Sequence, residues 1–221
     1  MQFFGGVYYP EGERHMIDWC EKHGVSMFGR TAYQGKKQLA TIDLCTRLGR
    51  LQVAVDVGAH IGHWSMNLAK HFGQVLAFEP VQEHRDCFRM NVDALNVTLH
   101  DCALGQARGS VRMNVERGNT GNSSIDASGG AVGGDVEMHT LDSFQLTHID
   151  LIKIDTEGFE VQVLRGAEET IKRCRPVIIV EQKRDMGAKY GNRPKEAVDL
   201  LRHWGYKVHA DMGGDFLMVP A

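Results

Sequence analysis

At 221 residues, 43% apolar and 24% charged, the chain has the composition of one globular domain with a sizeable core. Its net charge of −3 leaves no broad basic surface for nucleic acid, and no run reaches the roughly 18–20 apolar residues of a membrane span. Five cysteines, Cys20, Cys45, Cys87, Cys102 and Cys174, are scattered and lack C-x-x-C spacing, which argues against a disulfide framework or a thiolate zinc site. With no signal-peptide pattern in Met1–Pro10, a cytoplasmic protein is the expectation.

In chain order, residues 1–50 read as a helical arm, with helices over Glu13–His23 and Lys36–Leu48. The second has a rough apolar face of Leu39, Ile42, Leu44, Cys45 and Leu48. The arm is expected to pack beside the domain formed by residues 51–221, or over its pocket. From Val53 strands and helices alternate: strand 53–57, helix 61–72, strand 75–78, helix 82–94, strand 97–100. Val111–Val115 and Val136–Met138 are short alternating runs flanking Gly118–Gly134, which is rich in Gly, Asn and Ser and reads as an inserted loop or hairpin. The alternation resumes with Ile149–Asp155, a helix after Glu157-Gly158 that buries Val161, Val163, Leu164 and Ala167, and Pro176–Glu181. A helix over Pro194–Trp204, with proline near its start and Gly205 past its end, leads to a last pair, Tyr206–His209 and Phe216–Val219. The expected fold is α/β, a doubly wound and mostly parallel sheet with an antiparallel C-terminal edge.

Chemistry gathers at the strand tips. Val53-Ala54-Val55 ends in Asp56, followed by Gly58 and Gly62. Such a turn brings backbone N–H groups and a helix start against a ligand. The next strand ends in Glu79, placed to accept from a ribose diol. The turn departs from G-x-G-x-x-G because His60 replaces the central glycine. That side chain crowds a pyrophosphate, which disfavours NAD or FAD and fits S-adenosylmethionine. Asp155 and Glu181 end two further strands, and Asp101 follows another. In an open α/β sheet these ends line the ligand crevice.

DVGAHIG, AFEP, DCALG, TLDSF and IDLIKIDTEGFEVQVLRGA followed by RPVIIVEQ resemble the FkbM-type S-adenosylmethionine-dependent methyltransferases, in order and spacing, from about Val53 to Glu181. The resemblance implies a seven-stranded class I methyltransferase fold, Rossmann-like, and O-methylation of a sugar hydroxyl or other small molecule. It implies that Gly58, Ala59, His60 and Gly62 hold the methionine end of the cofactor. Asp56 would orient that loop or meet the amino group. Glu79 would accept from the ribose, Pro80 would shape the adenine slot, and Asp101 and Ala103 would lie along the adenine edge. His60 stands where Asn is common in the family, and histidine is among the side chains that tolerate positive φ.

A hydroxyl acceptor needs positioning and a base. Asp155, Glu181 and Glu157 are the candidates, with Glu160 and His60 behind them; alternatively, two of the carboxylates hold Mg²⁺ to acidify the hydroxyl. Lys153, on the opposite strand face from Ile152 and Ile154, is expected in an ion pair or against an acidic substrate. Asn119, Asn122, Ser123 and Ser124 are candidates to read sugar hydroxyls, whereas Arg173, Arg175, Lys183 and Arg184 read as a solvated basic face. The partner is therefore a small-molecule or glycan acceptor, with no nucleic acid expected. The other readings are a catalytically silent cofactor-binding module, a nucleic-acid methyltransferase, which lacks its N/D-P-P-Y/F or Pro-Cys motif, and a dehydrogenase.

Overall fold

The computed structural model describes residues 1–128, 135–183 and 185–221. The arm begins with a hairpin of β1 (Gln2–Phe4) and β2 (Val7–Tyr9), turned by Gly5 and Gly6 at φ +57° and +83°. After α1 (His15–His23), a second hairpin joins β3 (Val25–Met27) to β4 (Arg30–Ala32) through Phe28 and Gly29, also at positive φ. Then comes α2 (Gly35–Arg47). The helices expected over Glu13–His23 and Lys36–Leu48 are α1 and α2, and the two hairpins stand in addition to them. Two-residue turns with both residues left-handed match the twist of paired strands, and the Phe-Gly-Gly-Val run carried that signal.

The core continues with β5 (Val53–Val57), α3 (His63–Leu68), β6 (Gln74–Phe78), α4 (Gln82–Asn91) and β7 (Val97–His100). A side sheet follows, from β8 (Ala103–Leu104), β9 (Gly109–Asn114), β10 (Ser124–Ile125) and β11 (Asp135–His139), in the order β10-β9-β11-β8. The core resumes with β12 (Leu151–Ile154), α5 (Glu160–Arg165), α6 (Glu168–Cys174), β13 (Val177–Glu181), α7 (Glu196–His203), β14 (Tyr206–Asp211) and β15 (Asp215–Pro220). The seven-stranded sheet runs β14-β15-β13-β12-β5-β6-β7, and only the pairings of β15 are antiparallel.

Strand alternation divides the core. Val55, Val57, Ile152, Ile154, Ile178 and Val180 face Val161, Leu164, Ala197 and Leu201 on one side. Ala54, Val75, Leu151 and Ile179 face Ile42, Trp64, Leu68 and Phe72 on the other. Each fully buried aliphatic side chain contributes about 1.5–3 kcal/mol. Strand order reverses between β5 and β12, so the crevice opens where their C-terminal tips diverge.

Several boundaries differ from the sequence expectation. The helix expected over 61–72 begins at His63, because Gly62 is left-handed at φ +92°. The helix expected over 82–94 ends at Asn91, whose amide donates to the carbonyls of Tyr8 and Ile61 and fastens the arm. The helix after Glu157 is two, broken around Gly166, where a Cβ would stand 1.9 Å from the Gly105 carbonyl oxygen. Part of the expected 118–134 loop is ordered as a 3-10 turn at Thr120–Asn122 and as β10. Residues 129–134 of that loop, and Arg184 of the basic cluster, lie outside the described residues.

Candidate active site

Gly58 marks the reversal point. It has φ +72°, and a Cβ there would lie 1.9 Å from the carbonyl oxygen of Asp155. Only glycine lets the tips of β5 and β12 meet this closely. Lys153 fastens the same turn from within. Its Nζ donates to the carbonyls of Val57 and Gly58, at 3.2 and 2.7 Å, and pairs with Asp56 Oδ1 at 3.1 Å. Burial alone would lower the Lys153 pKa, but Asp56 and Asp155 hold it above the ordinary lysine range. Asp56 is fully buried and also accepts from Ser65 Oγ at 2.7 Å.

From this turn a narrow slot of about 60 Å³ runs toward β6, walled by Phe78, Pro80, Cys102, Ala103 and Phe159. Glu79 forms its polar end. Oε2 accepts from the backbone N–H of His60 at 2.8 Å, and Oε1 accepts from Val81 N–H at 2.9 Å and His84 Nδ1 at 3.1 Å. Burial opposes ionisation, but His84 and the two N–H groups hold this carboxyl below the usual range. Thr120, Gly121, Ser123 and Ile125 roof the slot. The roof is clamped by Glu13, fully buried, whose Oε2 accepts from both N–H and Oγ1 of Thr120 at 2.6 Å. The Thr120 hydroxyl has spent its only proton on Glu13, so His60 Nε2, 3.0 Å away, is the donor to Oγ1. Burial, then the neighbouring His84 and His63, push the His60 pKa well below the ordinary value.

Gly58, His60, Asp155 and Glu157 also line a neighbouring chamber of about 350 Å³. Tyr33 and Gln34 of the arm, Asn119 and Asn122 of the inserted segment, and His63 and Trp64 of α3 line it. Asp155, Glu157 and Glu181 bring carboxylate oxygens within 4.8 Å of one another there. Burial and the charges of Asp155 and Glu160 push Glu157 up to about 8. Burial, Asp155 and Glu157 likewise raise Glu181. Lys183 pairs with Glu181 and, at 3.3 Å, with Asp215, which also pairs with Lys37. Tyr33 is pushed up to about 12 by burial and Asp155.

The description "Methyltransferase FkbM domain" matches residues 56–208, from the tip of β5 into β14. The chain belongs to this family. It is 30% identical to methyltransferase sdnD of Sordaria araneosa over 155 positions, covering 52% of this chain and 60% of that protein. It is 27% identical to methyltransferase 1 of Beauveria bassiana, covering 52% of this chain and 58% of that protein. The chain thus spans about 60% of the length of these relatives. Among solved structures it resembles the FkbM methyltransferase of Methylobacillus flagellatus, with TM-score 0.53, 19% identity, and coverage of 77% of this chain and 44% of that one. The magnesium protoporphyrin IX methyltransferase of Synechocystis, solved with bound S-adenosylmethionine, gives 0.51 at 11% identity, covering 84% and 79%. Both likenesses speak to the class I methyltransferase fold.

Within this FkbM domain the sequence-predicted positions separate. Gly58, His60, Glu79, Pro80 and Ala103 line the slot, and Ala59 lines the chamber. Three do not reach it. Asp56 is spent on Lys153 and Ser65. Gly62 faces α4, where a Cβ would stand 2.5 Å from Val92 and 3.0 Å from Phe88. Asp101 lies in a separate open groove with Arg85, His100 and Glu137. Asp155 and Glu157 border both cavities and Glu181 the chamber. Glu160 is spent on its own turn, accepting from Thr156 N–H and Oγ1 and from Gly158 N–H. Sequence reasoning missed Glu13, His63 and His84. His63 is 4% exposed, lines the chamber, and has no hydrogen-bond partner on either ring nitrogen among the described residues. Burial lowers its pKa to about 3. Its signal was a histidine directly after Gly62, at the start of α3.

Proposed function

We propose that this FkbM domain is an S-adenosylmethionine-dependent O-methyltransferase acting on a hydroxyl of a small molecule or sugar. The observation that carries this reading is the pair of unlike cavities that share Gly58, His60, Asp155 and Glu157 as lining. One is a slot with apolar walls and Glu79 at its far end, and the other is a chamber with three crowded carboxylates, of which Asp155 and Glu157 also border the slot. The slot's chemistry fits a nucleoside. Pro80, Ala103 and Phe159 offer flat apolar walls to a purine, and Glu79 Oε2 keeps a lone pair beyond the His60 bond for a ribose hydroxyl. S-adenosylmethionine, which Glu79 and the apolar walls would hold there, would supply an already activated sulfonium methyl.

The chain's own residues then position the acceptor and hold its proton. Lys153 fixes the Gly58 turn, so the slot and the carboxylates keep one geometry. Alignment of this kind accounts for roughly 7–11 kcal/mol of barrier in well-oriented systems. Asp155 borders both cavities and is the base we assign, with Glu157 and Glu181 as its neighbours. A carboxyl raised toward neutrality, as Glu157 is, exchanges a proton at working pH. Mg²⁺ is a second role for the same three groups, favoured by their approach within 4.8 Å. Lys183 already compensates Glu181, which lessens the charge left to hold a cation.

Calorimetric titration with S-adenosylhomocysteine, with NAD⁺ as control, tests the cofactor. Binding of the first alone is expected, and no binding removes the reading. Glu79→Ala should weaken that binding about tenfold or more, the cost of a charged hydrogen bond; unchanged affinity removes the ribose assignment. Asp155→Asn should retain cofactor binding and lose methyl transfer across a panel of sugar and small-molecule hydroxyl acceptors. Full activity in that variant excludes Asp155 as the base. Activity that survives EDTA and ignores added Mg²⁺ excludes the metal.

A further inference from the structure

A further cavity, of about 290 Å³, lies between the β3–β4 hairpin, α3 and the chain that follows α4. None of its lining residues lines the slot or the chamber. Its volume is close to the roughly 300 Å³ at which small-molecule sites begin. Half-buried Arg30 forms part of its wall. Nη1 donates to the backbone carbonyl of Asn91 and lies 3.0 Å from Met66 Sδ. Nε and Nη2 have no partner among the described residues, and neither is sealed from solvent. These two nitrogens make one edge of the guanidinium, the fork that takes a carboxylate by two parallel hydrogen bonds. Lys70, exposed on the same cavity, is likewise without a side-chain partner among the described residues. Against these two cations the lining holds one acid, Asp93, so one positive charge is in excess.

Asn67 supplies the opposite chemistry. It is 5% exposed, and its Nδ2 donates to Gln38 Oε1 at 2.6 Å and to the His63 carbonyl at 3.2 Å. Gln38 Nε2 in turn donates to the Tyr33 carbonyl at 2.8 Å. Each amide nitrogen thus meets a fixed acceptor, and the orientation of both side chains follows. Asn67 Oδ1 is left as an acceptor without a partner among the described residues; it is not sealed, and Asn67 lines the cavity. Native folds seldom leave such an oxygen unmet. An unused carboxylate fork and an unused acceptor therefore share one cavity with the apolar side chains of Met27, Met66 and Val92. We propose that this cavity binds a small hydroxycarboxylate, its carboxylate on the free edge of Arg30 and its hydroxyl donating to Asn67 Oδ1. Lys70 adds long-range attraction for the anion. The two thioethers adapt to a branched or aromatic body. The site is separate from the methyl-transfer reading and does not depend on it.

The test uses protein labelled with ¹³C at the methionine methyls, titrated with lactate, 2-hydroxyisocaproate and 3-phenyllactate. Methionines mark each cavity: Met27 and Met66 this one, Met113 the slot, and Met16 and Met186 the chamber. At least one of the three acids should saturate with shifts at Met27 and Met66. Its amide should bind about tenfold more weakly, the loss of a charge-assisted hydrogen bond, and the acid without its hydroxyl about fivefold more weakly. Arg30→Lys keeps a cation but has no fork, and should lose most of the preference for acid over amide. The acid–amide comparison in the wild-type protein stands even where that variant fails to fold. No saturable binding by any of the three acids overturns the proposal, and so does equal binding of acid and amide. Shifts confined to Met113, Met16 or Met186 place the acid in the slot or the chamber and overturn it too. An acid preference unaltered in Arg30→Lys removes Arg30 as the anion's partner, and the proposal with it.

Discussion

Replacing Glu157 with Gln should make the ligand-free protein more stable at alkaline pH and leave it unchanged in acid. Glu157 shares the chamber with Asp155 and Glu181, all within 4.8 Å. Burial and the charges of Asp155 and Glu160 raise its pKa from the ordinary 4.5 to about 8. Between those values the folded protein keeps a proton that the unfolded chain has released. The stability associated with Glu157 is therefore full below about pH 4.5 and is lost as pH rises through about 8. At about 1.4 kcal/mol per pH unit, the rise sets a ceiling of roughly 5 kcal/mol. Glu157 is only partly buried, and Lys183 and Lys189 offset part of the repulsion, so about 1–2 kcal/mol is the expected gain at pH 8.5. Gln keeps the shape and hydrogen-bonding reach while removing the charge. Urea unfolding of both proteins at pH 4.5, 6.5 and 8.5, compared at constant m value, should give a difference near zero in acid that grows with pH. A variant that is less stable than the wild type at pH 8.5 would refute the reasoning. It would mean that the carboxylate is ionised and favourably paired with the lysines, and that the cluster carries no stored repulsion.

Two further outcomes follow from the buried groups. Lys153→Met should cost about 3–5 kcal/mol in urea unfolding, because it leaves Asp56 charged and unpaired in the core; Asp56→Asn in the same protein should recover part of that loss, and no recovery would deny the pairing. His63→Phe should raise the melting temperature of the ligand-free protein, since two ring nitrogens without partners each cost about 1–3 kcal/mol. A lowered melting temperature would show that those nitrogens are satisfied.

The central strands were legible because their signal is local. Val53–Val55 and Val177–Val180 are continuous apolar runs, each followed by an acid, the pattern of strands covered on both faces, and the structure keeps the expected strands 53–57 and 176–181 within a residue. Lys153 was legible by alternation alone: its neighbours Ile152 and Ile154 pack on one face, while its own side chain crosses to Asp56. Less legible were strand-tip acids as a class. Asp56, Glu79, Asp155 and Glu181 occupy similar places in sequence, yet Asp56 is consumed by an internal cation while Glu79 and Asp155 border a cavity. The difference is which way the side chain leaves the strand and what stands opposite it. That is decided by β12, about a hundred residues downstream of β5.

The parts that escaped are long-range pairs between residues that are unremarkable on their own. Glu13 reads as the start of a surface helix, and its acid would ordinarily complement the first helical turn. One of its oxygens serves that purpose, accepting from Met16 N–H at 2.8 Å. Its other oxygen holds Thr120, 107 residues away, and Thr120 in turn receives the His60 proton. A roof, an arm and the glycine turn are thereby fixed by one chain of three side chains. The same chain accounts for the histidine at the turn. Histidine at φ +52° is uncommon though tolerated, and here its ring closes a network that a glycine could not reach. The substitution that disfavours a pyrophosphate also anchors the cover of the slot, so the departure from the glycine pattern is part of how this site is built.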